Sequence, residues 1–193
     1  MAKQEFEPLF KSDSDWHNNA CLNFHPDMSH GYINGYKLAA DSLVLQVNDT
    51  GRDQDYLVYP IVFLYRQHIE LLLKNIVSNG RQLLDQDGGY PKHHKIDELW
   101  KTVKGILRKV FESNIDKKFA QVEHVVNELA KADSDSMSFR YSTDRSGKGS
   151  TDGIFYINLR HLGQMINDIS EELDCADSVI MHYLEARTNM QSW

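Results

Sequence analysis

Ionisable side chains stand inside the most apolar stretch of the chain, residues 57–80, which read LVYPIVFLYRQHIELLLKNIVSNG. Arg66, Glu70 and Lys74 follow one another at intervals of four, so on a helix they stack along one stripe as alternating charges. On an outer face such a stripe would lie in water. Inside a bundle, the same charges would need partners from elsewhere in the chain. The spacing leaves both interpretations open.

A second set of polar residues supplies candidate partners. His94 precedes an apolar helical pattern, Arg140 stands between Phe139 and Tyr141, and Asp144 follows in the same polar loop. The planar guanidinium of arginine suits a carboxylate, and a glutamate inside an apolar helix requires such a partner.

We therefore hypothesise one polar site where residues 133–153 fold back onto the central helix. The predicted ligand-binding residues are Arg66, Glu70, Lys74, His94, Arg140 and Asp144. If the site is catalytic, His94 is the candidate general acid or base, and Arg140 or Arg66 would stabilise developing phosphate charge. The alternative is a buried network that only fixes the position of the loop.

Several other kinds of chemistry have no motif in this chain. The sequence lacks the Glu-x-x-His pairs of di-metal bundles and the His-Glu-x-x-His motif of helical zinc sites. It also lacks a glycine-rich phosphate loop after a strand and a nucleophile elbow. We therefore predict no metal and no cofactor.

Apolar spacing of three and four predicts an all-α fold, a four- or five-helix up-and-down bundle with one long ordered loop. The first three helices are predicted at about 29–48, from 57 to just before Gly80, and at 96–111. A fourth helix is predicted to end at about residue 132, and the last to span about 158–187. Pro60 is expected in a first turn, and Gly80 just beyond a helix end. Residues 1–28 are predicted to be an N-terminal arm that packs onto the body through a few apolar anchors, and residues 29–193 a single helical domain.

The composition limits where the protein acts and what it binds. The chain has 193 residues, a formal net charge of −7 and two cysteines. No apolar run is long enough to cross a bilayer, and the first residues lack the layout of a signal peptide. These features predict a cytoplasmic protein without membrane contact. The negative charge argues against broad nucleic-acid binding but leaves room for a local site.

Four segments resemble a group of uncharacterised bacterial helical proteins that is associated with the HEPN superfamily. They are GYKLAADSLV (35–44), YPIVFLYRQHIELLLKNI (59–76), HKIDELW (94–100) and SFRYSTDRSG (138–147). The resemblance implies a helical bundle, often dimeric, from a superfamily common in RNA cleavage, toxin–antitoxin pairs and phage defence. Active HEPN ribonucleases carry an arginine followed after four to six residues by a histidine, and none of the eight arginines here has one at that separation.

The sequence therefore predicts a HEPN-like, non-catalytic module that binds RNA, a nucleotide or a protein partner through the polar site on the central helix. The alternative is an atypical, metal-independent ribonuclease of the toxin or defence type. Whether the protein is an enzyme stays open at this level. A homodimer is the expected assembly, and a purely structural dimerising subunit is a third interpretation.

Overall fold

The computed structural model describes residues 6–111, 114–144 and 146–191, and within these ranges the fold is all-α. The helices are α1 (Ser29–Thr50), α2 (Gln54–Leu83), α3 (Ile96–Val110), α4 (Ile115–Lys118), α5 (Ala120–Ala132) and α6 (Leu159–Gln191). A short 3₁₀ turn, Trp16–Asn18, precedes them. The described ranges contain no strand, and a single antiparallel bridge joins Thr143 to Gly149. The predicted fourth helix is divided, because Phe119 leaves the helical conformation between α4 and α5.

The central helix is longer than the sequence pattern predicted. Because α2 begins at Gln54, Pro60 lies inside the helix rather than in its first turn. The helix continues to Leu83, so Gly80 is also interior, and its position as a terminal stop is wrong. A Cβ atom at Gly80 would lie 2.3 Å from Cγ2 of Ile106, so this glycine allows α3 to approach α2 closely.

Helix α2 lies at the centre of the core. It packs against α1, α3 and α6. Helix α5 packs in turn on α3 and α6. The apolar face predicted from its spacing is buried, as Ile61, Leu73 and Ile76 show. The body is thus organised around the helix that carries the ionisable stripe.

Polar contacts also fix the neighbours of α2. The ring of His68 is buried, with Nδ1 3.0 Å from the Ile33 carbonyl oxygen of α1 and Nε2 2.8 Å from the Ser170 hydroxyl of α6. Burial lowers the pKa of His68 and keeps the ring neutral. Because a carbonyl only accepts, Nδ1 carries the proton and Nε2 of the neutral ring can only accept. The Ser170 hydroxyl that faces Nε2 also lies 2.7 Å from the Ile166 carbonyl oxygen, and its single hydrogen serves one of these two acceptors. One side chain therefore sets the register of three helices.

The N-terminal arm does not pack onto the body in the way that the sequence predicted. Its large apolar side chains from Phe6 to Phe24 are between 69% and 92% exposed. Scattered single anchors bury too little apolar area to hold an irregular segment against its conformational entropy. In the described ranges, no helix has the length and apolar character required to span a membrane.

Candidate functional site

Arg66 is fully buried, and groups from its own helix and from two distant segments bind every part of its guanidinium. Nε donates to the Asp133 carbonyl oxygen at 2.9 Å, and Nη1 donates to Glu70 Oε2 at 3.0 Å. Nη2 donates to the His94 carbonyl oxygen at 2.7 Å and, more weakly, to that of Ser134 at 3.4 Å. The prediction that a distant segment returns to meet these charges is confirmed.

Glu70 is the acceptor at the centre of this network. Its Oε2 accepts from Arg66, while Oε1 accepts from Lys74 Nζ at 2.7 Å and from His94 Nδ1 at 2.8 Å. Burial raises the pKa of Glu70, but the hydrogen bonds from Lys74 and His94 and the attraction of their charges outweigh it and hold the pKa below its ordinary value. The carboxylate is therefore ionised and can only accept.

His94 is the accessible member of the network, with 60% of its side chain exposed. Since the Glu70 carboxylate only accepts, Nδ1 must carry a proton. In the neutral ring, Nε2 then holds the lone pair on a side chain that reaches solvent. This is the tautomer that a general base requires.

Asp133 completes the network, although sequence reasoning gave it no role. Its Oδ1 accepts from the backbone N–H groups of Met137 at 2.7 Å and Ser138 at 3.0 Å, and Oδ2 lies 3.5 Å from Arg66 Nε. Asp133 thus folds the turn after α5 and binds it to α2. The sequence did contain a signal for this turn. Asp133 follows the end of a predicted helix and precedes Ser-Asp-Ser, and aspartate side chains often accept hydrogen bonds from the backbone of a turn.

The structure corrects the predicted grouping of Arg140 and Asp144 with this network. Arg140 is exposed, lies over the rings of Phe63 and Tyr141, and donates to Met137 Sδ at 3.2 Å. Asp144 is exposed and accepts from the backbone N–H groups of Ser146 and Lys148. Arg66 is satisfied instead by Glu70, by backbone carbonyls of residues 94, 133 and 134, and by the nearby Asp133 carboxylate, so neither Arg140 nor Asp144 is needed there.

The returning segment forms one wall of a groove of about 780 Å³. Ser134, whose carbonyl binds Arg66, lines this groove together with His124 of α5 and His161 of α6. Much of the remaining lining is apolar, including Leu129 and Phe139. The buried network therefore determines where one side of the groove lies.

Lys74 connects the network to a second, smaller pocket, which we call the tyrosine pocket. Its volume is about 430 Å³, and its lining includes Tyr32, Tyr36, Gln67, Lys74, Ser78 and Tyr90. The Lys74 ammonium lies 5.4 Å from the centre of the Tyr90 ring. Tyr32 and Tyr36 belong to the apolar spacing that predicts α1, and no sequence pattern singled out Gln67 or Tyr90.

Within the described ranges, no group of three or more histidine, cysteine or acidic side chains is arranged to hold a metal ion. Comparison with protein-family models, curated proteins and solved structures gives no significant match for this chain. The site must therefore be interpreted from its own geometry.

Proposed function

We propose that the protein is a HEPN-like helical module, homodimeric and cytoplasmic, that binds RNA or a nucleotide without cleaving it. The observation that carries the proposal is the open tyrosine pocket, whose Tyr90 ring lies beneath Lys74 of the buried network. Aromatic side chains that stack on bases are typical of proteins that bind single strands.

The burial of the network favours binding over catalysis at the central helix. Arg66 and Glu70 are closed to solvent, and Lys74 has only 8% of its side chain exposed. Their charges are matched within the protein, as Arg66 and Lys74 face Glu70 and Asp133. A ligand would therefore meet the surface that the network builds rather than the buried charges.

Titration of the full chain with a fluorescently labelled single-stranded RNA and with nucleoside monophosphates at low salt tests this proposal. Phosphate contacts are strongest at low salt, so this condition favours detection. We expect saturable binding and intact RNA after incubation. Failure of both ligand types to bind would refute the proposal, and a protein partner would then be the function to pursue.

The geometry of His94 specifically favours a second candidate, a metal-independent ribonuclease. In RNA, the 2′-hydroxyl can attack the neighbouring phosphorus and expel the 5′-oxygen of the next nucleotide. A protein then needs mainly a base to take the hydroxyl proton, an acid to protonate the leaving oxygen, and charge stabilisation. His94 has its Nδ1 proton fixed by Glu70 and its ring exposed.

The adjacent His93 supplies a matched control for this candidate. It is partly exposed and lies near Glu98 instead of Glu70. Under the ribonuclease hypothesis, cleavage of single-stranded RNA falls about 100-fold or more in His94→Ala and is retained in His93→Ala. RNA that stays intact with the wild-type protein would rule out this candidate.

A further inference from the structure

We propose that the tyrosine pocket holds a nucleobase, with Gln67 reading its hydrogen-bonding edge. This inference rests on the proposed function and specifies which part of the ligand is recognised and where. The same chemistry is offered by a free nucleotide and by an unpaired base of RNA.

The walls of the pocket come from three segments. Tyr32 and Tyr36 are four residues apart on α1 and therefore share one face of that helix. Gln67, Lys74 and Ser78 lie at helical spacing on the facing side of α2. Tyr90 closes the pocket from the connection between α2 and α3. Tyr90 is 50% exposed and Tyr32 is 61% exposed, so aromatic surface is available to a ligand.

The structure holds these walls in place before any ligand binds. Lys74, fixed by Glu70, lies over the Tyr90 ring, and Arg81 Nη1 donates to the Gly89 carbonyl oxygen at 3.1 Å. His68 fixes the opposite wall by donating to the Ile33 carbonyl between the two tyrosines of α1. A preformed pocket loses less entropy on binding, which favours affinity for a small ligand.

Polar groups without protein partners converge on the pocket. Tyr36, Gln67 and Ser78 are half-buried pocket residues, and no hydrogen bond within the described part of the chain involves their side chains. The Gln67 amide offers both a donor and an acceptor, the combination that matches a base edge. By contrast, the amide nitrogens of Asn75 and Asn79 already donate to Asp177.

The charges of the pocket favour recognition of the base rather than of the phosphate. Lys74 is bound to Glu70 and almost completely buried, and Asp27 adds a negative charge to the lining. A volume of about 430 Å³ lies within the range of small-molecule sites. Stacking and edge hydrogen bonds therefore carry the binding, and the phosphate remains outside.

Calorimetric titration with AMP, GMP, CMP, UMP and ribose 5-phosphate tests the inference, with a short single-stranded RNA as a parallel ligand. We expect at least one nucleotide to bind and ribose 5-phosphate not to bind. Tyr90→Ala should weaken nucleotide binding about tenfold or more, because the stacking ring is removed, whereas Tyr90→Phe should retain it. Gln67→Leu should also weaken binding and reduce the preference among the four bases.

Tyr56→Ala is the matched control, since Tyr56 is an exposed tyrosine of α2 outside the pocket. Circular dichroism melting of each variant shows whether it is folded. RNA binding that Tyr90→Ala and Tyr56→Ala affect equally would overturn the pocket inference while leaving the proposed function standing. Binding of ribose 5-phosphate as tightly as nucleotides would also overturn base recognition. Absence of RNA and nucleotide binding altogether would refute both.

Discussion

Glu70 shows how a buried carboxylate can be tolerated in an apolar helix. Three donors from Arg66, Lys74 and His94 satisfy its two oxygens, so the desolvation penalty is offset by charged hydrogen bonds. Removing the carboxylate charge leaves the buried cations Arg66 and Lys74 without the negative charge of Glu70.

We predict that Glu70→Gln lowers the free energy of unfolding by about 3–5 kcal/mol, the range found when one partner of a buried ion pair is lost. Urea denaturation followed by circular dichroism measures it. Glu98→Gln is the control, because the Glu98 side chain is 45% exposed and pairs with Lys95, and this change should cost less than about 1 kcal/mol. Equal effects in the two variants would contradict a buried role for Glu70.

His68 predicts a pH dependence of stability. Its pKa in the folded protein is lowered by burial, so the unfolded chain binds the proton first as the pH falls below about 6.5. The stability that neutral His68 contributes is thus complete above about pH 6.5 and is lost as the pH falls towards its folded pKa.

The comparison of wild type with His68→Asn isolates this effect. The stability advantage of the wild type should shrink by up to about 1.4 kcal/mol per pH unit between about pH 6.5 and 5, as measured by urea denaturation. An advantage that stays constant or grows over this range would show that the folded protein does not lower the pKa of His68.

At the residue scale, the sequence predicted part of the site. Arg66 and Glu70 lie among apolar residues, and the pattern left a solvated stripe and a buried cluster both open. The structure decides for burial. The partners themselves did not follow, because Arg66 is bound largely by backbone carbonyls. Carbonyls occur at every residue, and no sequence pattern marks which one a turn will aim at an arginine.

At the scale of elements, the close contact of α2 with α3 depends on one glycine. Because a Cβ at Gly80 would lie 2.3 Å from Ile106, Gly80→Ala should force the helices apart and cost about 1–3 kcal/mol, despite the better helix propensity of alanine. Thermal unfolding measures the change.

Gly105 of α3 is the matched control. A Cβ there meets nothing within 4 Å outside its own helix, so Gly105→Ala should stabilise the protein by up to about 1 kcal/mol. A stabilising Gly80→Ala would contradict the close packing of the two helices.

The sequence predicted the existence of the helices better than their ends. The apolar spacing predicts α2, but Pro60 and Gly80 predict its ends wrongly. Proline is common in the first turn of a helix and glycine is common just after the last, whereas both lie inside α2. Here packing against α3 requires the glycine, so tertiary contact overrides the local signal. The division at Phe119 likewise follows from packing, since its ring is buried edge-on to Trp100.

For the whole molecule, the formal charge of −7 limits the kind of nucleic-acid binding that is expected. A protein of this charge gains little from general attraction to phosphates, so recognition has to come from a local site. We propose the tyrosine pocket as this site. Because Lys74 of the buried network lies against Tyr90, the proposed binding depends on the stability of the fold.

Amide hydrogen exchange of the full chain, with and without saturating single-stranded RNA, tests the location of binding most directly. We expect exchange to slow in residues 29–36 and 84–95, the segments that carry the three tyrosines, and to stay unchanged in residues 120–132 and 146–158. Slowing confined to the groove between α5 and α6, or no change at all, would contradict it.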